Sequence, residues 1–507
     1  MRSAGKWTIL AILSFALALI SLDNTIVNVA LPSLQEDLKA TSAQLQWVVD
    51  AYSVLFAGTL LLAGSLGDRF GRKKLLLIGL VIFGAGSLAA GAAPDANVLI
   101  ICRAIMGIGG AFIMPSTLSI LVQTFTAPTE RAQAIGIWAA VAGVGVAIGP
   151  IAGGALLEHF SWHSVFLVNP PLVVIVLLLA IAFIPESLDE SKPQLDVRGA
   201  ALSALGLIAL VTFIVELPDS GLTTVTLTAG LAALVLLTAF VWWEKRAPRP
   251  ILPMELFKER LFTVAVVLVG LVYFALMGAL FFLPQFLQLV QGMTPLESGA
   301  SMLPGAGGLL VASLLSPRLA EKWGARPVVV VGVLLVTLGL LAMSLVEPMT
   351  SYPYVGVALG ITGVGMGLTL PQATNGILSC VPRERSGMGS AVNESVSELG
   401  GSFGVAILGG ILAFFYRSRI DETISSAPDA AAAIPEQVLD TVRESLAAAS
   451  VLIEQLPATL ANPSRDIVAA AFVTGMGWAL VTGAAITLLG AILAWRYFPQ
   501  RMERVEE

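Results

Sequence analysis

The chain has 507 residues, of which 56% are hydrophobic and only 12% are charged. Soluble domains average about 25% charged residues, so this composition excludes an ordinary soluble protein. The net charge of −6 is less informative, because in a membrane protein the distribution of charge matters more than its sum. The apolar residues form unbroken runs of about 20, which predict an all-α polytopic membrane protein and not the short alternating segments of a β-barrel.

In chain order, the apolar runs predict fourteen membrane-spanning helices. The predicted spans are 8–31, 44–66, 75–93, 97–121, 132–156, 164–184, 199–217, 222–243, 262–290, 297–317, 327–346, 352–378, 388–415 and 468–495. The first run is too long for a signal peptide, so we expect it to be retained. Most basic residues fall in loops that share one side of the membrane, which places both ends of the chain in the cytoplasm.

A weak internal repeat organises these spans. The loop after span 2 reads GSLGDRFGRKK (64–74), and the loop after span 10 reads SPRLAEKWGAR (316–326). Each contains basic residues and a glycine at a similar place, and each follows the second span of a six-span unit. Parallel six-span halves are a known transporter plan, with the substrate site between them.

The repeat predicts a 6+2+6 arrangement. An N-terminal six-helix half covers 1–184, two additional spans with cytoplasmic connectors cover 185–260, and a C-terminal six-helix half covers 261–507. Within the last half, the outer segment 416–467 shows helical spacing at Val438, Val442 and Leu446. It is predicted to form either short amphipathic helices or a partly ordered loop.

Three ionisable side chains lie inside spans of the first half: Asp23 in span 1, Asp50 in span 2 and Arg103 in span 4. A charged side chain at a helix centre costs about 2.5–3.5 kcal/mol on insertion scales. At 1.5 Å per residue, all three lie roughly 9–12 Å from the outer surface. We interpret them as a proton-coupling cluster, with Asp23 and Asp50 also as substrate-binding candidates. A static ion pair that only stabilises the fold is the alternative.

Two more acidic residues, Glu394 and Glu398, lie one helical turn apart in span 13 and therefore share a face. Two like charges so close cannot both ionise cheaply, so we expect one to stay protonated at neutral pH. Such a pair could bind a lipophilic cation and exchange it for a proton. Alternatively, both residues face a wet vestibule and bind no substrate. Aromatic residues such as Tyr52 and Tyr273 could line the same pocket, although packing is their commoner role.

Two further motifs carry no ionisable group inside the membrane. The loop after span 2 can make a tight turn, and its aspartate can pair with an arginine or cap a neighbouring helix. Its candidate gating residues are Gly67, Asp68, Arg69, Gly71 and Arg72. Span 5 combines small residues, which permit close packing, with a proline that can bend the helix. Its motif residues are Gly145, Gly149, Pro150, Gly153 and Gly154.

Four of these segments, in order, resemble the major facilitator superfamily. GSLGDRFGRKK (64–74) is similar to its signature loop, and LIICRAIMGIGGAFIMP (99–115) to its fourth-span motif. GVGVAIGPIAGGAL (143–156) is similar to the fifth-span antiporter motif. LDNTIVNVALP (22–32) resembles the first-span motif of the fourteen-span drug:proton antiporters. The second loop departs from the signature, with Ala320 and Glu321 where the first has Gly67 and Asp68.

The resemblance implies a major facilitator fold and proton-coupled efflux of lipophilic, often cationic drugs by alternating access, a route to antibiotic resistance. In such antiporters the fourth-span arginine is linked to proton coupling, and acidic residues in spans 1, 2 and 13 to cation binding. The implied partners are small lipophilic or cationic compounds, protons and the bilayer of a bacterial cytoplasmic membrane. We expect a monomer, and no cofactor, metal or nucleic acid.

Most other functions fit the sequence less well than export. The chain has only two histidines and no HExxH or GxxxxGK[ST] motif, which argues against a metalloprotease and a nucleotide-driven pump. GIGGAF and GVGMGL lie within spans and not after a soluble strand, so they do not predict a dinucleotide site. A facilitator or symporter for a lipid-like or polar metabolite shares the fold and stays open as an alternative, because fold alone does not decide function. A membrane sensor would not need matched halves.

Overall fold

The computed structural model describes residues 5–40, 42–188, 196–248, 250–426 and 458–500, together with scattered residues between 439 and 453. These residues are helical and contain no strand. The helices are α1 (Lys6–Leu38), α2 (Ser42–Phe70), α3 (Arg72–Ala90), α4 (Ala96–Thr124), α5 (Pro128–His159), α6 (His163–Leu167), α7 (Asn169–Phe183), α8 (Val197–Ser220), α9 (Thr224–Glu244), α10 (Arg260–Gln285), α11 (Pro295–Ala300), α12 (Leu303–Trp323), α13 (Ala325–Ser344), α14 (Tyr352–Ser379), α15 (Ser386–Ser426) and α16 (Ala458–Tyr497).

Every predicted span has one helix, or a consecutive pair of helices, at its position. Within the described residues, thirteen stretches are long and apolar enough to cross a membrane. They correspond to all the predicted spans except span 5. The helix at that position, α5, is 32 residues long and runs without interruption through the predicted span. The predicted all-α membrane architecture is therefore confirmed.

Two predicted spans are each divided into two helices, and in both the second helix has a proline in its first turn. Span 6 becomes α6 and α7, and Pro170 lies in the first turn of α7. Span 10 becomes α11 and α12, and Pro304 lies in the first turn of α12. Proline lacks a backbone N–H, which costs nothing in a first turn but would break a helix interior. The apolar pattern continues across both breaks, so hydropathy alone predicts a single span.

The outer segment is more helical at its edges than its hydropathy predicts. Helix α15 continues to Ser426 and α16 begins at Ala458, well beyond the predicted limits of 415 and 468. The Tyr416 hydroxyl donates to the carbonyl oxygen of Val442 at 2.9 Å, so the segment folds back onto α15. Val438 lies outside the described residues, and the amphipathic helices stay a prediction.

The buried side chains form two main cores. One is built from residues of α1 to α7 and the loop that follows, joined by Leu378, and the other from residues of α10 to α16 and the segment between α15 and α16. The halves meet where α2 packs on α15, and where α5 packs on α12 and α14. A third core joins Leu61 of α2, Leu207 of α8 and Phe240 of α9 to residues of the C-terminal helices. The division of the chain into halves at residues 184 and 260 stays a prediction.

The first repeated loop is closed by the segment after α7. Gly71 has φ +111°, a conformation that only glycine adopts without strain. The next residue, Arg72, donates its backbone N–H to the carbonyl oxygen of Ser187 at 2.9 Å. The Glu186 carboxylate accepts the backbone N–H of Lys73 at 3.0 Å. The segment that follows α7 is therefore hydrogen-bonded to the first turn of α3.

The second repeated loop is closed in the same way. Gly324 has φ +96°, and Ala325 donates its backbone N–H to the carbonyl oxygen of Gln500 at 2.8 Å. Gln500 follows the last helix of the C-terminal half, as Ser187 follows the last helix of the N-terminal half. We call these two hydrogen bonds, Arg72–Ser187 and Ala325–Gln500, the clasps. They show that the weak sequence repeat corresponds to a repeated backbone arrangement.

The two additional helices lie at the edge of the α2–α15 contact. Helix α8 packs against both α2 and α15, and a Cβ added at Gly58 of α2 would overlap Ile208 of α8. Helix α9 packs on α8, and only 17% of its most apolar window is buried, the smallest share among the thirteen stretches. The pair therefore covers one seam between the halves and exposes most of α9 to the surroundings.

Candidate functional site

Asp23 and Arg103 form a buried ion pair. The Arg103 Nη1 lies 2.7 Å from the Asp23 Oδ2, and the two side chains are 2% and 0% exposed. The Arg103 Nε also donates to the carbonyl oxygen of Val48 on α2 at 3.0 Å. The pair therefore joins α1, α2 and α4 at one point.

The other oxygen of Asp23 is also satisfied. Asn169, the first residue of α7, donates its Nδ2 to Asp23 Oδ1 at 2.7 Å and to Ser87 Oγ at 3.0 Å. Ser87 donates in turn to the carbonyl oxygen of Phe166 at 2.8 Å. The carboxylate is thus held by one charged and one neutral donor. Sequence reasoning missed Asn169, although an asparagine inside an apolar run next to two prolines is a signal worth reading.

Asp50 is the third ionisable residue of this half. It is half-buried on α2, and the hydrogen bonds of Asp23 and Arg103 described above go to other residues. It is two residues from both Val48 and Tyr52, so it projects from a different side of the helix from these neighbours of Arg103. The structure therefore pairs Asp23 with Arg103, and the grouping of Asp50 with them stays a prediction.

Tyr52 is placed beside the pair by the close approach of α2 and α4. The Arg103 guanidinium carbon lies 4.5 Å from the centre of the Tyr52 ring. A Cβ added at Gly107 would overlap the carbonyl oxygen of Tyr52, so this fourth-span glycine allows the contact. The Tyr52 hydroxyl is buried without a hydrogen-bond partner in the described structure. An unsatisfied buried polar group costs about 1–3 kcal/mol.

Glu394 and Glu398 form the second group of ionisable residues, on α15. Glu394 is 3% exposed and Glu398 is half-buried. The Asn393 Nδ2 donates to Glu394 Oε1 at 3.0 Å, and the Tyr273 hydroxyl lies within range of both carboxyl charges. Among the described residues, no Lys or Arg forms an ion pair with either glutamate. The two carboxyl groups are therefore left to be neutralised by something other than a basic side chain.

Tyr52 lies between the two groups. Its hydroxyl is in electrostatic range of Asp23 and Arg103 in the first half and of Glu398 in the second. Tyr52 is therefore the residue through which the Asp23–Arg103 pair and Glu398 of the other half share one electrostatic environment.

The signature loop closes the end of the molecule that the sequence predicts to be cytoplasmic. Asp68 Oδ1 accepts from Arg72 Nη2 at 2.7 Å and from the backbone N–H of Gly387 at 2.9 Å, and Oδ2 accepts from Met388 at 3.1 Å. Gly387 and Met388 belong to the first turn of α15, whose free N–H groups and helix dipole favour a carboxylate. Arg72 also donates to the carbonyl oxygen of Glu384 at 2.6 Å. Asp68 thus pairs with an arginine and caps a helix of the other half.

Other residues at the closed end contribute fewer contacts between the halves than Asp68 does. The hydroxyls of Ser119 on α4 and Ser386 on α15 lie 2.8 Å apart across the halves. Arg69 is half-buried with its guanidinium 5.2 Å from the Phe70 ring. A Cβ at Gly67 would meet its nearest neighbour at 3.4 Å, so that glycine is not required for close packing.

The span 5 motif packs against the helix that carries Asp23. Added Cβ atoms at Gly145 and Gly153 would lie 2.8 Å from Ser21 and 2.9 Å from Ile26, and one at Gly149 would overlap Thr25. The added groups at Gly145, Gly149 and Gly153 would all meet α1, whereas Gly154 faces open space. The side chain of Pro150 lies outside the described residues. The motif is therefore a close α1–α5 contact.

Comparison with known proteins identifies the class. Residues 13–405 match the Major Facilitator Superfamily. The human organic anion transporter MFSD10 (TETRAN) superposes with a TM-score of 0.65 at 14% identity, covering 97% of this chain and 100% of that one. The chain belongs to the major facilitator superfamily, and it is a membrane transporter.

Two curated relatives place it more closely. It is 36% identical over 485 residues to the multidrug efflux pump LfrA of Mycolicibacterium smegmatis, covering 96% of this chain and 95% of that protein. It is 31% identical over 497 residues to the methyl viologen resistance protein SmvA of Salmonella typhimurium, with coverages of 97% and 98%. The resemblance to the major facilitator superfamily read from the motifs is thereby confirmed, with multidrug efflux pumps among the relatives.

Proposed function

We propose that this protein exports lipophilic cations from the cell in exchange for protons. The observation that carries the proposal is the pair of carboxyl groups, Glu394 and Glu398, which lie at the interface of the halves without a basic partner in the described structure. A carboxylate removed from water must be compensated. Here a proton or a cationic substrate can do so, and because either one excludes the other, the site exchanges them.

The Asp23–Arg103 pair supplies a second proton-dependent element. In the structure the carboxylate accepts hydrogen bonds from both Arg103 and Asn169. A proton on Asp23 removes the charge that holds Arg103, and α1 and α4 are then free to move apart. Asp50, half-buried on α2, is a further candidate for binding the cation on its way through the protein.

The closed end supports a step of the cycle in which the site is reached from outside the cell. Asp68, Arg72 and the first turn of α15 join the halves on the side predicted to be cytoplasmic. With that side closed, the site exchanges with the outside, where protons are taken up and the cation leaves. The α1–α5 glycine contact permits the two helices to slide closely when the closed end opens.

The proton gradient can drive this export. One charge that moves across 100 mV is worth about 2.3 kcal/mol, which corresponds to roughly fifty-fold accumulation. The names of LfrA and SmvA, a multidrug efflux pump and a methyl viologen resistance protein, support cationic drugs and dyes as the substrate class. We further propose a monomer in the bacterial cytoplasmic membrane with both termini inside, a 6+2+6 division, and no cofactor.

The test uses purified protein in liposomes with an imposed pH gradient and ethidium as the fluorescent cation. We expect ethidium to move against the proton flow and the movement to vanish when an uncoupler is added. Protein-free liposomes and the Glu394→Gln/Glu398→Gln variant are the controls. If ethidium and methyl viologen show no coupled movement, the proposal is wrong, and transport of a lipid-like or polar metabolite becomes the better explanation.

A further inference from the structure

Tyr52 occupies a position that packing alone does not explain. Its side chain is 1% exposed, lies beneath the Arg103 guanidinium and stacks on Phe56 with ring centres 5.7 Å apart and planes 14° apart. These contacts use the faces of the ring. They fix the direction in which the hydroxyl points without using the hydroxyl itself.

The Tyr52 hydroxyl is a buried polar group without a hydrogen-bond partner in the described structure. A Cβ added at Gly110 of α4 would lie 2.6 Å from it, so a glycine provides the space that it fills. A phenylalanine would make the same stacking and cation–π contacts and would remove the unsatisfied group.

The charges that face this hydroxyl belong to both halves. Asp23 on α1, Arg103 on α4 and Glu398 on α15 are all in electrostatic range of it. Leu399, the residue after Glu398, packs in one cluster with Val54 and Ala57 of α2, which places Glu398 beside the same stretch of α2 that carries Tyr52. Helices α2 and α15 are in direct contact at the seam between the halves, so a movement of one half changes the distance from Tyr52 to Glu398. The same movement leaves the Tyr52–Arg103 contact within the first half.

We propose that Tyr52 is a positioning residue that couples the state of Glu398 to the Asp23–Arg103 pair. When Glu398 is ionised and α15 moves closer, the hydroxyl donates to its carboxylate and the ring shifts beneath Arg103. When a proton or a cation neutralises Glu398, this hydrogen bond is lost and the ring returns. This inference rests on the proposed function, because it assigns a coupling step within proton-driven export.

The test compares Tyr52→Phe with Tyr416→Phe, a matched control. Tyr416 is also 1% exposed, but its hydroxyl donates to the carbonyl oxygen of Val442. We expect Tyr52→Phe to keep its melting temperature and its ethidium affinity without a gradient, and to lose at least ten-fold in pH-driven uptake with a flattened pH profile. Tyr416→Phe should melt at a lower temperature and transport with normal coupling.

A double-mutant cycle with Glu398→Gln separates coupling from structure. If Tyr52 acts through Glu398, adding Tyr52→Phe to Glu398→Gln should cause no further loss, whereas a structural defect would add to it. Wild-type protein that ignores the gradient would overturn the proposed function itself. Wild-type protein that responds while Tyr52→Phe responds equally, or effects that simply add, would overturn only the role of Tyr52.

Discussion

The Asp23 carboxylate and the Arg103 guanidinium are 2.7 Å apart and almost completely removed from solvent, on helices whose paired residues are separated by 80 positions in the chain. A buried pair of this kind contributes little net stability, but breaking it leaves one uncompensated charge. This difference between losing one partner and losing both makes the function of the pair testable.

Single and double replacements of the pair should therefore behave differently. Asp23→Asn or Arg103→Gln alone should lower the free energy of unfolding by about 3–5 kcal/mol, since each leaves a lone buried charge. The double variant should recover much of that loss, because no charge remains. Thermal unfolding in detergent measures the stability, and the liposome assay measures gradient-driven transport. We expect none of the three variants to couple, and a double variant that couples normally would show that the pair is only structural.

Glu394 and Glu398 should decide which substrates are accepted. Replacing either by glutamine keeps the shape of the side chain and removes the charge that a cation requires. We expect at least ten-fold weaker binding of ethidium and little change for a neutral transported compound, measured by fluorescence or equilibrium binding. Glu422→Gln, an exposed change on the same helix, is the control. Equal losses for cationic and neutral compounds would mean that the glutamates shape the site without selecting charge.

The closed end should be trapped by a disulfide between α4 and α15. Because the hydroxyls of Ser119 and Ser386 are 2.8 Å apart, Ser119→Cys/Ser386→Cys should cross-link on mild oxidation. The background variant replaces Cys102 and Cys380, which are the two natural cysteines. Oxidation should abolish transport and a reductant should restore it. Cross-linked protein that still transports would show that this end does not need to open.

Asp68 should control how readily that cross-link forms. Asp68→Asn removes the charge that holds Arg72 and places an amide donor near backbone donors of α15. We expect slower cross-linking and reduced transport, with the rate followed by gel mobility. Asp95→Asn, an exposed cap at the predicted outer end of α4, should leave both unchanged. An unaffected rate in Asp68→Asn would mean that other contacts hold the end closed.

Two glycines of the span 5 motif, one packed against α1 and one facing open space, provide a test variant and its control. Gly149→Ala should be strongly disruptive, because its methyl group would overlap Thr25 of α1. Gly154→Ala should be tolerated, because nothing lies within 4 Å of the added group. Expression, melting temperature and transport rate distinguish the two. Similar behaviour of both variants would contradict the close α1–α5 contact.

The sequence predicted how deep each site residue lies but not which way it faces. Depth follows from the residue's position along its span, so Asp23 and Arg103 were correctly placed at one level. Direction around the helix axis depends on packing between helices, which a single sequence does not provide. Asn169, which lies 146 residues from Asp23 in the chain, was therefore missed, and the grouping of Asp50 with the pair stays a prediction.

The fold was predicted more completely than the site because hydropathy reports length and apolarity directly. It failed where proline divides an apolar run, at Pro170 and Pro304, and where α15 and α16 extend beyond the apolar core. Tyr52 was noted only as one of several aromatic residues. Nothing in a sequence distinguishes a buried hydroxyl with a partner from one without.

The two clasps preserve the same backbone closure, while the side chains around them have diverged. Glu321, the counterpart of Asp68, is exposed at the end of α12 and accepts no backbone N–H of the other half among the described residues. In the part of the chain that the structure describes, the buried carboxylate of Asp68 joins the halves at the α2–α15 seam, and the additional helix α8 lies along that seam as well. At the seam where α5 meets α12 and α14, Arg131 Nε donates to a neutral acceptor, Asn375 Oδ1, at 3.1 Å. The two seams are therefore held by different chemistry, and a proton that neutralises Asp68 should loosen the α2–α15 seam without loosening the other.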